Sequence, residues 1–221
     1  TDKIILRDKA LDYRVLNFAS NTFNENETSY YHKSVGGYHP AKLRRYAELI
    51  DAHISPEMQK TMKAVVDAGG DMTKVNGDSL FPVLNMLNTK YFIMPLQGGQ
   101  TVPLQNPYAY GNAWFVDEVK YVNNANEEID AVGKNNLRHV AVADAKFKEQ
   151  LQQSAKQDDT SMVKLTQYKP NNLTYEVKSD KGGVIVFSEI YYPGWTATVD
   201  PGYRRVYHSA LGDDGIEETG G

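Results

Sequence analysis

YKPNNLTYEVKSDKGGVIVFSEI, Tyr168 to Ile190, is the stretch that decides the fold. Leu173, Tyr175 and Val177 alternate with Thr174, Glu176 and Lys178, the period of two that places successive side chains on opposite faces of a strand. One apolar and one polar side predict an antiparallel sheet with a wet face. Lys169-Pro-Asn-Asn and Ser179-Asp-Lys-Gly-Gly are turn sequences, and MVKLTQY before them and WTATVD after them are also strand-like. Together they predict a small antiparallel, sandwich-like β domain from about residue 151 to 221. After Asp200 the chain turns polar and Gly-rich, PGYRRVYHSALGDDGIEETGG, and is read as a truncated or disordered tail from about residue 201.

Upstream, the polar segment Lys146 to Thr160 has little apolar periodicity and places a domain boundary near residue 150. Before it the pattern is helical as well as strand-like. YRVLNF (Tyr13 to Phe18) reads as a buried strand followed by a long loop. Pro40 with Leu43, Tyr46, Ala47 and Ile50 predicts a helix to about Ala52. Ser55 as N-cap, Pro56, then Met58, Met62, Val65 and Val66 predict a second helix that stops at Gly69-Gly70. A third, short one carries Leu80, Val83, Leu84 and Leu87 into the apolar run YFIMP. AWFV, KYV and HVAVA are expected to extend the same sheet after the turn-rich QGGQTVPLQNPYAYGN. The fold class is therefore α+β: an α/β layered domain over residues 1–150, then the antiparallel β domain.

Composition excludes several function classes. Lys+Arg 24 against Asp+Glu 28 leaves a formal charge of -4, without the basic excess that nucleic acid requires of a partner. The absence of cysteine removes disulfides, zinc-thiolate sites and thiol nucleophiles. No run approaches the ~20 apolar residues that span a bilayer, and the N-terminus lacks the plan of a signal peptide. The chain also starts without Met, so the soluble portion of a membrane protein would read the same way.

No hydrolase elbow, zinc-protease helix, phosphate loop, dinucleotide fingerprint or calcium loop occurs, so no catalytic residue and no cofactor is expected in this chain. The densest polar-aromatic stretch is YYHKSVGGYHPAKLRRY, Tyr30 to Tyr46. His32 and His39, seven apart across a Gly-Gly turn, do not have a metal-ligand spacing, and no metal is expected. Lys33, His39, Lys42, Arg44 and Arg45 near a helix start could hold a phosphate or carboxylate. The alternative is that two of these basic residues face solvent and one pairs with Glu48 or Asp51. Tyr30, Tyr31, Tyr38 and Tyr46 are core residues or, if exposed, a sugar-stacking platform. In SEIYYPGW, Glu189, Tyr192 and Trp195 could bind a carbohydrate, or Trp195 closes the core.

The motifs YRVLNF, NTFNENETSYYHKSVGGYHPAKLRRYAELID, PVLNMLNTKYFI, NAWFV, YKPNNLTYEV and GVIVFSEIYYPGWTATVD occur in this order. That series, from Tyr13 to Asp200, resembles the extracytoplasmic part of YfhO-type bacterial membrane proteins, which look like multi-spanning glycosyltransferases that use lipid-linked sugar donors. The resemblance implies an extracytoplasmic chain, periplasmic or on the outer face of the membrane, tethered to a transmembrane bundle. Its implied partners are that bundle and a lipid-linked sugar or envelope glycan. The implied catalytic carboxylate lies on the membrane part, so this chain alone is expected to be inert. Carbohydrate binding without a role in transfer, and a structural or partner-binding role, are the alternatives.

Overall fold

The computed structural model describes residues 1–37, 44–149, 151, 160–190, 195–200 and 205–209. The fold is α+β, as the two hydrophobic periods require. A short helix α1 (Asp2–Ile5) precedes strand β1 (Arg14–Asn17), and α2 (Glu27–Tyr31) follows in the long loop. Next come α3 (Arg44–Leu49), a π-turn (Ile50–Ile54) and α4 (Ser55–Asp67), one uninterrupted helical run.

The expected break at Ser55 does not occur. Ser55 has helical dihedrals, caps nothing with its side chain, and donates its N–H to Ile50 O, five residues back. Pro56 has no N–H to give to the preceding turn, and the wider π-turn takes up that interruption without ending the helix. The buried row of α4 is Glu57, Thr61 and Val65, whereas Val66, expected inside, is exposed.

Two short helices, α5 (Gly77–Leu80) and α6 (Pro82–Met86), lead into β2 (Thr89–Pro95) and β3 (Thr101–Gln105). β1 and β2 pair in parallel, and β3 closes this sheet antiparallel to β2. β3 falls in a stretch that reads as turns because Pro103 interrupts it; proline is tolerated there because β3 is an edge strand. Alternation divides the sheet cleanly. Leu16, Phe92 and Met94 enter the main core with Ile54, Phe81 and Leu84, while Val15 and Ile93 pack on Ile5 of α1. This is the layered α/β unit that the sequence predicts.

The strands that follow do not extend that sheet. β4 (Ala113–Val116) pairs with β9 (Val184–Phe187), and β5 (Glu118–Val122) pairs in parallel with β6 (Val140–Asp144) across helix α7 (Ala125–Lys134). α7 escapes the apolar pattern, yet its start is signalled by Asn124, whose Oδ1 accepts from Glu127 N at 3.0 Å, while Glu127 Oε2 accepts from Asn123 N. The β4–β9 pairing crosses the boundary placed near residue 150.

β7 (Met162–Lys169) and β8 (Asn172–Lys178) form the expected hairpin, turning at residues 170 and 171. With β10 (Thr196–Asp200) and β11 (Arg205–Ser209) they make an antiparallel sheet of order β10-β11-β8-β7. β11 corrects the expectation for the tail: residues 205–209 form a strand within this sheet, seated between β8 and β10. Leu173 and Tyr175 are buried and Glu176 and Lys178 exposed, as their alternation predicts, but Thr174 is buried as well. It lies opposite a register shift in β7, where Thr166 Oγ1 donates to Thr174 O.

Candidate functional site

A charged residue in a short apolar strand has to find a partner, and Arg14 at the start of β1 is the seed of the site. It is 2% exposed. Its Nη1 donates to Leu87 O at 2.7 Å and to Ser188 O at 2.6 Å, and its Nη2 lies 3.8 Å from Glu189 Oε2. Lys33 is brought alongside because the segment after α2 runs parallel to β1: Val15 N donates to Lys33 O and Val35 N to Val15 O. Lys33 Nζ then bridges Asp12 Oδ2 at 2.9 Å and Glu189 Oε1 at 2.8 Å, and sits over the Tyr168 ring.

Three asparagine and serine contacts complete the cluster. Asn88 and Asn112 both donate their Nδ2 to Asp12 O, and Ser188 N donates to Asn112 O. The network joins β1, the loop after α2, the α6–β2 turn, β4, β7 and the end of β9. Burial, opposed by Lys33 and reinforced by the Glu189 charge, raises the Asp12 pKa from its ordinary value. Burial would raise Glu189 too, but Arg14 and Lys33 overcome it and hold Glu189 below the usual carboxylate range. The two carboxylates therefore differ in role: Glu189 keeps the negative charge that balances two cations, and Asp12 is the easier to protonate.

Of the sequence-predicted site residues, Lys33 and Glu189 meet in this cluster. His32 is buried nearby with its Nε2 2.8 Å from Asp2 Oδ1, a tether between α2 and α1. Arg44 pairs with Glu48 at 2.9 Å on an exposed surface, and Arg45 lies 4.0 Å from Glu128. Glu48 is one of the two partners that the alternative reading names and Glu128 is not, and neither arginine joins Lys33 in an anion site. Trp195 packs against the Leu165, Leu173 and Tyr175 core and so closes the β domain. Tyr38, His39 and Tyr192 lie outside the described residues. Among the described residues no group of three His, Cys, Asp or Glu could hold a metal.

The glycines of the Tyr30 to Tyr46 stretch serve the chain itself. A Cβ on Gly36 would stand 1.9 Å from Thr22 O, and Gly37 has φ 103. Tyr46 donates its hydroxyl to Val35 O and is a core residue, with burial pushing its pKa up to about 12. Tyr30 and Tyr31 are exposed, edge to face at 4.9 Å, so they offer no flat double platform.

The residues that sequence reading passes over are Asp12, Asn112 and Glu57. Glu57 reaches from α4 to the start of α6, where its Oε1 accepts from Val83 N at 3.0 Å and its Oε2 from Leu84 N at 2.9 Å. Asp12 carried a signal, since Asp12 and Arg14 at i and i+2 share one side of an extended chain.

No protein-family model, no curated protein and no solved structure matches the chain. No helix among the described residues is long and apolar enough to cross a membrane.

Proposed function

We propose that the chain is the extracytoplasmic part of a YfhO-type, multi-spanning glycosyltransferase-like membrane protein. There it helps to position the acceptor or the lipid-linked sugar donor during modification of a cell-envelope glycan. The observation that carries this reading is that all six ordered motifs supply a group to one cluster. Arg14 comes from the first, Lys33 from the second, Leu87 and Asn88 from the third, Asn112 from the fourth, Tyr168 from the fifth, and Ser188 and Glu189 from the last. The motifs behind the resemblance thus describe one physical object.

The cluster is built for holding rather than for bond making. Its cations are matched by carboxylates and carbonyls, no activated hydroxyl stands in it among the described residues, and the isolated chain is expected to transfer no sugar. Its part in the parent protein is to fix the geometry of the loops that surround it, next to the membrane-embedded chemistry.

Sidedness tests the reading. The chain has no cysteine of its own, so one placed at exposed Lys178 in a parent protein stripped of other cysteines reports its location alone. A membrane-impermeant maleimide should label it in intact cells. Labelling only after the membrane is opened would contradict the proposal.

A further inference from the structure

An open cleft of about 180 Å³ lies directly against the charged cluster, lined by Asp12, Asn88, Lys90 and Asn112 with Ala10, Ala109 and Gly111. It adjoins a second of about 440 Å³ that shares Ala10, Gly111 and Asn112 and runs on past Leu11 and Tyr110. We propose that the smaller cleft binds one sugar ring as a neutral polyol, and that the larger one lets a glycan continue from it.

The orientation of the two amides carries the inference. Asn88 and Asn112 direct their N–H groups inward to Asp12 O, at 3.2 Å and 2.9 Å, which leaves each carbonyl oxygen as the group free for a ligand. Neither Oδ1 accepts a hydrogen bond from the described residues, and neither is sealed off as a buried unpartnered atom. Asp12 and Asn88 are themselves more than nine-tenths buried, so these acceptors are held rigidly. Asn88 is also the one non-glycine described residue with positive φ, 52, a conformation that asparagine tolerates and that aims its side chain here.

Unpartnered acceptor oxygens beside one cleft suit a ligand rich in O–H donors. A phosphate or carboxylate would meet the Asp12 carboxyl. A metal cation would meet Lys90, which lines the same cleft and has its Nζ 2.6 Å from Asp8 Oδ2. Adjacent hydroxyls of a sugar satisfy both, donating to the two amide oxygens and lying beside Lys90. Naming the polyol as a sugar rests on the proposed function; the demand for a neutral hydroxyl donor rests on the cleft.

Titration of the ¹⁵N-labelled chain with glucose, galactose and N-acetylglucosamine, followed through the side-chain amide resonances of Asn88 and Asn112, tests it. Saturable shifts of both amides are expected with at least one of these sugars. Ala10→Trp, on the exposed rim shared by the two clefts, should weaken binding at least about tenfold, and so should Ala109→Trp, while Lys178→Ala, exposed and outside both clefts, should not. The inference is overturned if the amides do not move, if both blocking variants fold and bind as the parent sequence does, or if calcium or inorganic phosphate moves them and no sugar does. Sugar binding by a chain that labels from the cytoplasmic side would overturn the proposed function and leave this site standing. Correct sidedness without sugar binding would do the reverse.

Discussion

Arg14→Met is expected to destabilise the chain by about 3–5 kcal/mol, the usual consequence of removing one partner from a buried ion pair. Methionine fills much of the same space, so packing changes little. What is lost is the fork that satisfies Leu87 O and Ser188 O and faces Glu189. Lys33 alone then has to balance two buried carboxylates, and two carbonyls are left in apolar surroundings. Against a total stability of about 5–15 kcal/mol for a domain, that is enough to leave the variant close to unfolding. Arg14→Lys should recover only part of the loss, because an ammonium cannot reach both carbonyls and the carboxylate from one position. Urea unfolding measures both variants. A midpoint for Arg14→Met equal to that of the parent sequence would mean that the cluster does not hold β1 to β9.

The second large effect concerns pH. Burial pushes Glu57 up to about 7 from an ordinary 4.5, against the opposing pull of the Val83 and Leu84 N–H groups. The folded state therefore holds the Glu57 proton over a range in which the unfolded chain has released it. This contribution to stability is complete below about pH 4.5 and is lost as the pH rises through about 7, a fall on the order of 3 kcal/mol. Glu57→Gln cannot ionise and should lack this slope. Its NH2 would face one of the two N–H groups with another donor, where a protonated carboxyl still presents an oxygen, so it should be less stable than the parent sequence at low pH, and the two curves should converge toward neutral pH. Denaturant unfolding of both proteins across pH 4 to 8 is the measurement. Parallel curves would show that Glu57 does not titrate in this window.

Leu173, Tyr175 and the Pro170-Asn171 turn specified the β7–β8 hairpin because strand period and turn chemistry are both local. The pairing of β4 with β9 is not local: Trp114 and Val186 lie opposite each other, and no pattern within either strand names the partner. Pro56 was a sound helix-start signal by its chemistry, but the π-turn before it removed the need for a start. Glu57 and Thr61 were hidden because an amphipathic pattern assigns polar residues to solvent, and here the buried row of α4 contains an acid that caps another helix.

The site was half visible. Lys33 and Glu189 stood out as charges within aromatic-rich motifs, and both reach the cluster. Arg44 and Arg45 stood out equally and end in surface pairs, because a charge run records composition and not whether the chain gathers it. Asn88 and Asn112 carry no sequence signal as binding groups. Only their shared contact with Asp12 O, made between residues far apart in the chain, shows which way their carbonyls face.

The central claim, that this chain positions sugar for a membrane-embedded transferase, is tested most directly by transfer itself. Membranes carrying the whole parent protein, supplied with labelled lipid-linked sugar, should label envelope glycan. Ala10→Trp, with the protein folded and present at the same level, should lower transfer at least about tenfold, and the isolated chain should transfer nothing. Transfer by the isolated chain, or undiminished transfer by the blocked variant, would contradict the account.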